Sequence, residues 1–143
     1  NQHLIACVDD SRQVCWQLHK ILKKAGHRLI RIQDPLRALF TLVESKPSLI
    51  FLDLVMPVVS GYELCTQLRR VAELQQIPIV ILTSQDGIVD RVRAKIVGAS
   101  GFMSKPIKEE KVLAVIEKYL ANPKASSKKQ TNNGVAIKTL PPS

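Results

Sequence analysis

Apolar and polar positions alternate along this chain in blocks. Short apolar runs at residues 4–8, 29–32, 49–52, 77–82 and 101–104 are each followed by a longer stretch in which apolar residues recur every three or four positions. Runs of that length suit strands of a parallel sheet buried on both faces, and the recurrences suit amphipathic helices. The first helix starts near Ser11, with Val14, Leu18, Ile21, Leu22 and Ala25 inward and Gly26 as its stop. Asp34-Pro35 caps and opens a second helix, with Leu39, Leu42 and Val43 inward. Ser60 caps a third that buries Leu64, Leu68 and Val71. Asp86 caps a fourth, with Ile88, Val92 and Ile96 inward and Asp90, Arg91, Arg93 and Lys95 contributing to the solvated face. The last helix, over 108–120, has Glu109 and Glu110 in its first turn and Lys118 near its end, matching the helix dipole, with Val112, Leu113, Ile116 and Leu120 inward. Five strands alternating with five helices predict an α/β fold, a parallel sheet covered on both faces, because each parallel crossover needs a helix. The pattern leaves the strand order open.

The residues that end the apolar runs are the candidate chemistry. Residues 49–52 run into Asp53, residues 4–8 into Asp9 and Asp10, residues 77–82 deliver Thr83, and the fifth run leads to Lys105. The carboxyl ends of such strands open into a crevice where ligands bind. Pro57 and Gly61 limit regular structure after Asp53, so the chain loops across that crevice before Ser60 starts a helix. Carboxylates gathered there resist ionising together unless a hard divalent cation and a cationic side chain offset their repulsion. A Mg²⁺ site beside a nucleophilic aspartate accounts for the set.

Asp9-Asp10, Asp53 with Met56-Pro57 and Gly61 behind it, Thr83, and Lys105-Pro106 resemble, in order and spacing, the response-regulator receiver domain of two-component signalling. The resemblance covers about residues 3–121. No one of these elements is specific, but five in register across a β/α alternation are. The resemblance implies a flavodoxin-like, CheY-like (βα)5 three-layer sandwich with strand order 2-1-3-4-5. It implies that Asp53 accepts a phosphoryl group from a histidine kinase or phosphotransfer protein. Mg²⁺ would be held by Asp10 directly, by Asp9 mainly through water, by one oxygen of Asp53 and by the backbone carbonyl of Val55. Lys105 would hold one phosphoryl oxygen and Thr83 would donate its hydroxyl to another. The family's switch moves the threonine toward the phosphate and an aromatic residue, here Phe102, into the vacated space, remodelling a surface of the fourth helix, fifth strand and fifth helix that includes Arg91, Lys95, Phe102 and Lys111. Lys105-Pro106 is a candidate cis peptide, and a phosphorylation-dependent dimer fits the family. Val55 and Gln85 flank the family's path for hydrolytic water; Val55 cannot orient water, so slow self-dephosphorylation is expected. Residues 86–107 are most similar to receivers at the C-terminal end of PatA-type cyanobacterial regulators.

Composition and charge bound this picture more than they change it. The 143 residues fit one receiver over 1–121 and a tail over 122–143; 45% hydrophobic content supports a core, and 4% aromatic content makes it aliphatic. No window approaches the roughly 18 apolar residues of a membrane span, and the start lacks a secretory pattern. A cytoplasmic protein is expected. The absence of an initiator Met suggests a domain of a longer protein. Cys7, Cys15 and Cys65 have no metal-ligand spacing and read as buried small hydrophobes, while His3, His19 and His27 read as surface residues. Of the net charge of +9, the tail with Lys124, Lys128, Lys129 and Lys138 and no acid carries +4, leaving +5 for the rest. Neither share argues for nucleic acid. The tail reads as disordered, with a weak contact to an acidic partner or membrane as its one candidate role. No DNA-binding helix-turn-helix or catalytic output domain comes after the last helix, so direct DNA binding is not expected, and the effector is expected upstream, in another chain or in a part outside this sequence.

Other classes fit less well. A phosphate-independent interaction module on the same fold does not account for the intact acidic set. An aspartyl-intermediate phosphatase needs a second carboxylate where Val55 stands, and a flavin-binding domain needs a phosphate cradle where Asp9 and Asp10 would repel phosphate.

Overall fold

The computed structural model describes residues 2–120; the tail predicted over 122–143 lies outside the described residues. The elements are β1 (Leu4–Val8), α1 (Arg12–Lys24), β2 (Arg28–Ile32), a 3-10 turn (Pro35–Arg37) entering α2 (Ala38–Ser45), β3 (Leu49–Asp53), α3 (Gly61–Arg69), a 3-10 turn (Ala72–Leu74), β4 (Ile79–Thr83), α4 (Ile88–Ile96), β5 (Gly101–Ser104) and α5 (Glu109–Leu120). One parallel sheet runs β2-β1-β3-β4-β5, the order the family resemblance implies. The chain divides into two compact units after Val112. The described part of the second continues α5 to Leu120, with the Lys118 ammonium 5.4 Å from the Tyr119 ring. No helix among the described residues is long and apolar enough to cross a membrane.

Every residue of β3 and β4 is buried, as is β1 beyond Leu4, so the continuous apolar runs mark the strands flanked on both sides. Successive side chains point to opposite faces. Ala6, Val8, Ile50, Leu52, Ile79 and Ile81 pack with α2, α3 and Ala94 of α4. On the alternate phase, Cys7 of β1 meets Cys15 of α1, with their sulfurs 3.5 Å apart. All three cysteines are buried and free, as their aliphatic reading requires.

The stops and caps predicted for the first three helices are present. Ser11 accepts from the Val14 N–H at 3.3 Å, Asp34 from the Leu36 N–H at 3.0 Å, and Gly26 ends α1 at φ 90°. Ser60 and Glu63 form a reciprocal capping box at the start of α3. The Arg69 side chain at the end of α3 donates to the carbonyls of Gly98, Leu74, Gln75 and Ile77 and to Ser100 Oγ, joining α3 to the start of β4 and the entry to β5.

Several expectations fail locally. β4 begins at Ile79, past Pro78, and α5 begins at Glu109. Ala25 is exposed, and Leu113 is 39% exposed. His3 and His27 are half-buried partners, the His3 N–H donating to His27 Nδ1 at 3.0 Å. Burial and the nearby His3 lower the His27 pKa. The largest departure is α4: Ile88, Val92 and Ile96 are 82%, 53% and 77% exposed, and Ala94 is the residue that meets the core. Tyr62 explains the rotation, because its hydroxyl donates to Asp90 Oδ1 at 2.9 Å and the Arg93 guanidinium lies 4.0 Å from its ring. Gly87, not Asp86, is the N-cap of α4.

The start of α3 packs directly on the end of β3. A Cβ on Gly61 would stand 2.2 Å from the Asp53 carbonyl oxygen and 2.8 Å from Leu54 Cα, both backbone atoms that cannot step aside. Gly61→Ala is expected to destabilise the protein by about 2–4 kcal/mol in urea denaturation. An unchanged midpoint would mean that this approach is looser than described.

Candidate functional site

The register of the sheet sets the polar residues in a row along one edge. Val8 pairs with Leu52, so Asp9 emerges beside Asp53; Asp53 pairs with Leu82, and Thr83 pairs with Ser104, the residue before Lys105. The Lys105 N–H continues the ladder to the Thr83 carbonyl at 2.8 Å. Lys105-Pro106 is cis, as the family resemblance allows.

Asp9, Asp10 and Asp53 each offer a carboxylate oxygen within 4.8 Å of the others, with Asp9 and Asp53 buried and Asp10 exposed. Lys105 Nζ stands between the buried pair, 3.1 Å from Asp9 Oδ2 and 3.2 Å from Asp53 Oδ1. Asp9 Oδ1 accepts from the Ser11 N–H at 2.8 Å, which ties the start of α1 to the site. Asp9 Oδ2 has the ammonium nearby, yet no well-directed hydrogen bond reaches this buried oxygen. Asp53 Oδ1 also accepts a long 3.4 Å bond from the Val55 N–H.

One lysine does not neutralise this set. Burial, with the charge of Asp9 added, raises the Asp53 pKa to about 6 against the opposing pull of Lys105 and the Val55 N–H. Burial acts to lower the Lys105 pKa, but Asp9 and Asp53 outweigh it and the net shift is upward. The site therefore has one cation, an excess of carboxylate and an under-coordinated buried oxygen. Its donors are all hard oxygens, and a small divalent cation such as Mg²⁺ fits them.

Thr83 is buried, and its Oγ1 accepts from the Gln85 N–H at 2.9 Å. Phe102, one strand over, is half-buried against the core, with the Arg91 guanidinium 4.9 Å from its ring. The Val55 side chain is exposed. Asp9, Asp10, Asp53 and Lys105 are thus brought together, with Thr83 on the adjoining strand end, and Phe102 stands apart from the carboxylates on β5. Sequence reading missed Ser104, whose hydroxyl donates to Asp86 Oδ2 at 2.7 Å. That bond takes Asp86 away from capping and fastens the β4–α4 loop to β5. No signal in the sequence marks the pair, since Ser and Asp are ordinary loop residues.

Residues 5–117 match the response regulator receiver domain model. The chain belongs to the response regulator receiver domain family. Receivers are the signalling switches of two-component systems and interact with histidine kinases and effectors. Among its relatives, this receiver is 33% identical to protein PilH of Pseudomonas aeruginosa over 117 residues, covering 82% of this chain and 97% of PilH. It is 29% identical to protein PilG of the same organism over 116 residues, 81% of this chain and 86% of PilG. Among solved structures, the chemotaxis protein CheY4 of Vibrio cholerae superposes on 83% of this receiver and 99% of its own chain, with a TM-score of 0.79 and 26% identity.

Asp53 makes the fold sensitive to pH. With its pKa raised from the ordinary 3.8 to about 6, the folded receiver keeps a proton that the unfolded chain has released. Stability contributed by this group therefore falls as pH rises from about 4 to about 6 and stays lower above that window. In metal-free buffer at pH 7, Asp53→Asn is expected to be more stable than the parent by on the order of 1–3 kcal/mol, the gap closing toward pH 4. Urea denaturation of both proteins across that range reads the difference, and equal stability at pH 7 would contradict it.

Proposed function

We propose that Asp53 accepts a phosphoryl group from a histidine kinase or phosphotransfer protein in the presence of Mg²⁺, and that this alters the α4–β5 surface and the first turn of α5 for protein–protein signalling. The observation that carries the reading is Lys105 shared by Asp9 and Asp53 beside exposed Asp10, an arrangement with an unmet need for positive charge.

Asp10, Asp9, Asp53 and the backbone carbonyl of Val55 are the groups that would hold Mg²⁺, which when bound offsets the negative charge of the transferred group. Asp53 acts as nucleophile. One carboxylate oxygen forms a bond to phosphorus as the bond to the donor's imidazole nitrogen breaks, and the leaving imidazole takes the electron pair and a proton. Lys105, already 3.2 Å from Asp53 Oδ1, turns to a phosphoryl oxygen once that carboxylate is esterified. Thr83 has its hydroxyl hydrogen for a second oxygen, because the Gln85 contact uses Oγ1 as acceptor. Movement of Thr83 frees space for Phe102 to turn inward, which shifts a pre-existing equilibrium of the surface.

The same proposal covers a receiver over residues 1–121 with a basic tail over 122–143, a cytoplasmic setting, a PatA-type lineage, and an effector in another chain, in an upstream domain or in a part outside this sequence. Val55 at the family's hydrolytic position supports a long-lived phosphoryl group.

Intact-mass analysis after incubation with Mg²⁺ and acetyl phosphate tests this. A phosphoryl-sized gain is expected in the parent and absent both from Asp53→Asn and without metal. No gain in any arm, and no response to beryllofluoride, would favour a phosphate-independent interaction module. After removal of acetyl phosphate the added mass is expected to persist for minutes or longer; decay within seconds would overturn the role assigned to Val55.

A further inference from the structure

The basic charge of residues 1–121 is gathered in one place. Residues 11–33 contain Arg12, Lys20, Lys23, Lys24, Arg28 and Arg31 and no acid. That +6 exceeds the +5 of residues 1–121 as a whole, whose other residues hold 11 bases and 12 acids. α1 and the edge strand β2 carry the segment, and all six basic residues are exposed. On α1, Arg12, Trp16, His19, Lys20 and Lys23 fall at i, i+4, i+7, i+8 and i+11, one face of the helix, away from buried Leu18 and Leu22. Arg31 pairs with Cys7, which meets Cys15 of α1, so it projects on the α1 side of the sheet. Trp16, the single tryptophan of the chain, is 53% exposed in the middle of the helix face. Its ring stacks on His19 at 5.5 Å and has the Lys20 ammonium 5.6 Å from its centroid. A hollow of about 380 Å³ is lined by Trp16, His19, Lys20, Lys23 and Lys24. Among the described residues the segment's one salt bridge joins Lys24 to Glu109 at 3.7 Å.

We propose that this face of α1, with Arg31 beside it, docks on an anionic lipid bilayer, its lysines among the headgroups and Trp16 at their depth. The inference stands apart from the phosphoryl chemistry at Asp53. Anionic headgroups attract each basic residue held near them, at about fivefold in affinity apiece, and an indole ring settles at headgroup level. Lysine stems line the hollow with methylene groups while their ammonium heads stay in water. Shape and chemistry select this occupant. The face is the convex outside of a 13-residue helix, about 20 Å long, with no groove to track a strand. Single-stranded nucleic acid calls for a free aromatic platform, and the Trp16 ring already has His19 and Lys20 against it. Point-charged ammonium groups spread along a helix suit a diffuse headgroup field better than one fixed set of carboxylates on a protein. A second copy of this face would set base against base. α1 covers the Cys7 side of the sheet, whereas α2, α3 and Ala94 of α4 cover the other, so a bilayer on α1 leaves α4 open.

The full chain is mixed with phosphatidylcholine vesicles containing phosphatidylserine, in metal-free buffer, and sedimentation and Trp16 emission are read together. Co-sedimentation with a blue shift of the emission is expected, and neither on phosphatidylcholine alone. Raising NaCl from about 0.1 M to about 0.5 M is expected to release the protein, because salt screens the headgroup charge. Lys20→Gln combined with Lys23→Gln is expected to weaken binding at least about tenfold. Both side chains are exposed, so the urea midpoint should scarcely move. Lys124→Gln, Lys128→Gln, Lys129→Gln and Lys138→Gln together are expected to leave the blue shift in place. Absence of sedimentation overturns the proposal, as does sedimentation without a Trp16 shift. So does binding that the four-lysine variant loses and the α1 variant keeps, which would assign it to the tail. At equal anionic charge, tighter binding of a single-stranded oligonucleotide or of polyglutamate through Lys20 and Lys23 would also overturn it, giving the face to nucleic acid or to an acidic protein.

Discussion

Two carboxylates buried side by side at the edge of a sheet are unfavourable, and the Lys105 ammonium between Asp9 and Asp53 is what makes them tolerable. Much of the molecule serves that contact. Three central strands in one register bring the groups to a common edge, β5 carries the lysine on a continuing ladder, and Gly61 lets α3 close down on the Asp53 backbone. The balance stays incomplete, which is the useful part. A fully neutralised cluster would have no affinity for a cation or a phosphoryl group, whereas this one retains a raised Asp53 pKa and an under-coordinated oxygen on Asp9.

Most of the framework was legible because it depends on long, repeated signals. Five apolar runs locate the strands, the polar residues after four of them locate the site, and Asp9, Asp10, Asp53 and Lys105 converge as that logic requires. Strand order was not legible from periodicity, since any parallel order buries the same runs; it came from the family resemblance. The failures lie where one phase of a helix competes with another. On α4 the more hydrophobic stripe, Ile88, Val92 and Ile96, lies outward, while the inward position is held by small Ala94 and the rotation by Tyr62 on a different helix. Such a choice is tertiary and leaves no local mark. Asp86 failed for a related reason, because a long-range hydroxyl partner on β5 outcompeted the helix end beside it.

That outward stripe leaves three large apolar side chains of one helix in solvent. Apolar surface left outside a folded domain carries a cost in solubility and an opportunity in binding. Here it adjoins Phe102 through Arg91, whose guanidinium lies 4.9 Å from that ring. Thr83 and Phe102 lie on neighbouring strands of one register, so the acidic edge and this outward face share a framework.

The Arg69 cluster gives this arrangement a mechanical character. Hydrogen bonds from one guanidinium hold the Gly98 carbonyl just beyond α4, the Ser100 hydroxyl ahead of β5, and three carbonyls before β4. The opposite end of α4 is held by the single side chain of Tyr62 and by a loop fastened through Ser104 and Asp86. One side chain, Arg69, thus serves as a shared tie for the entries to two strands and the exit of a helix, so its loss would leave acceptors unpaired around three elements at once.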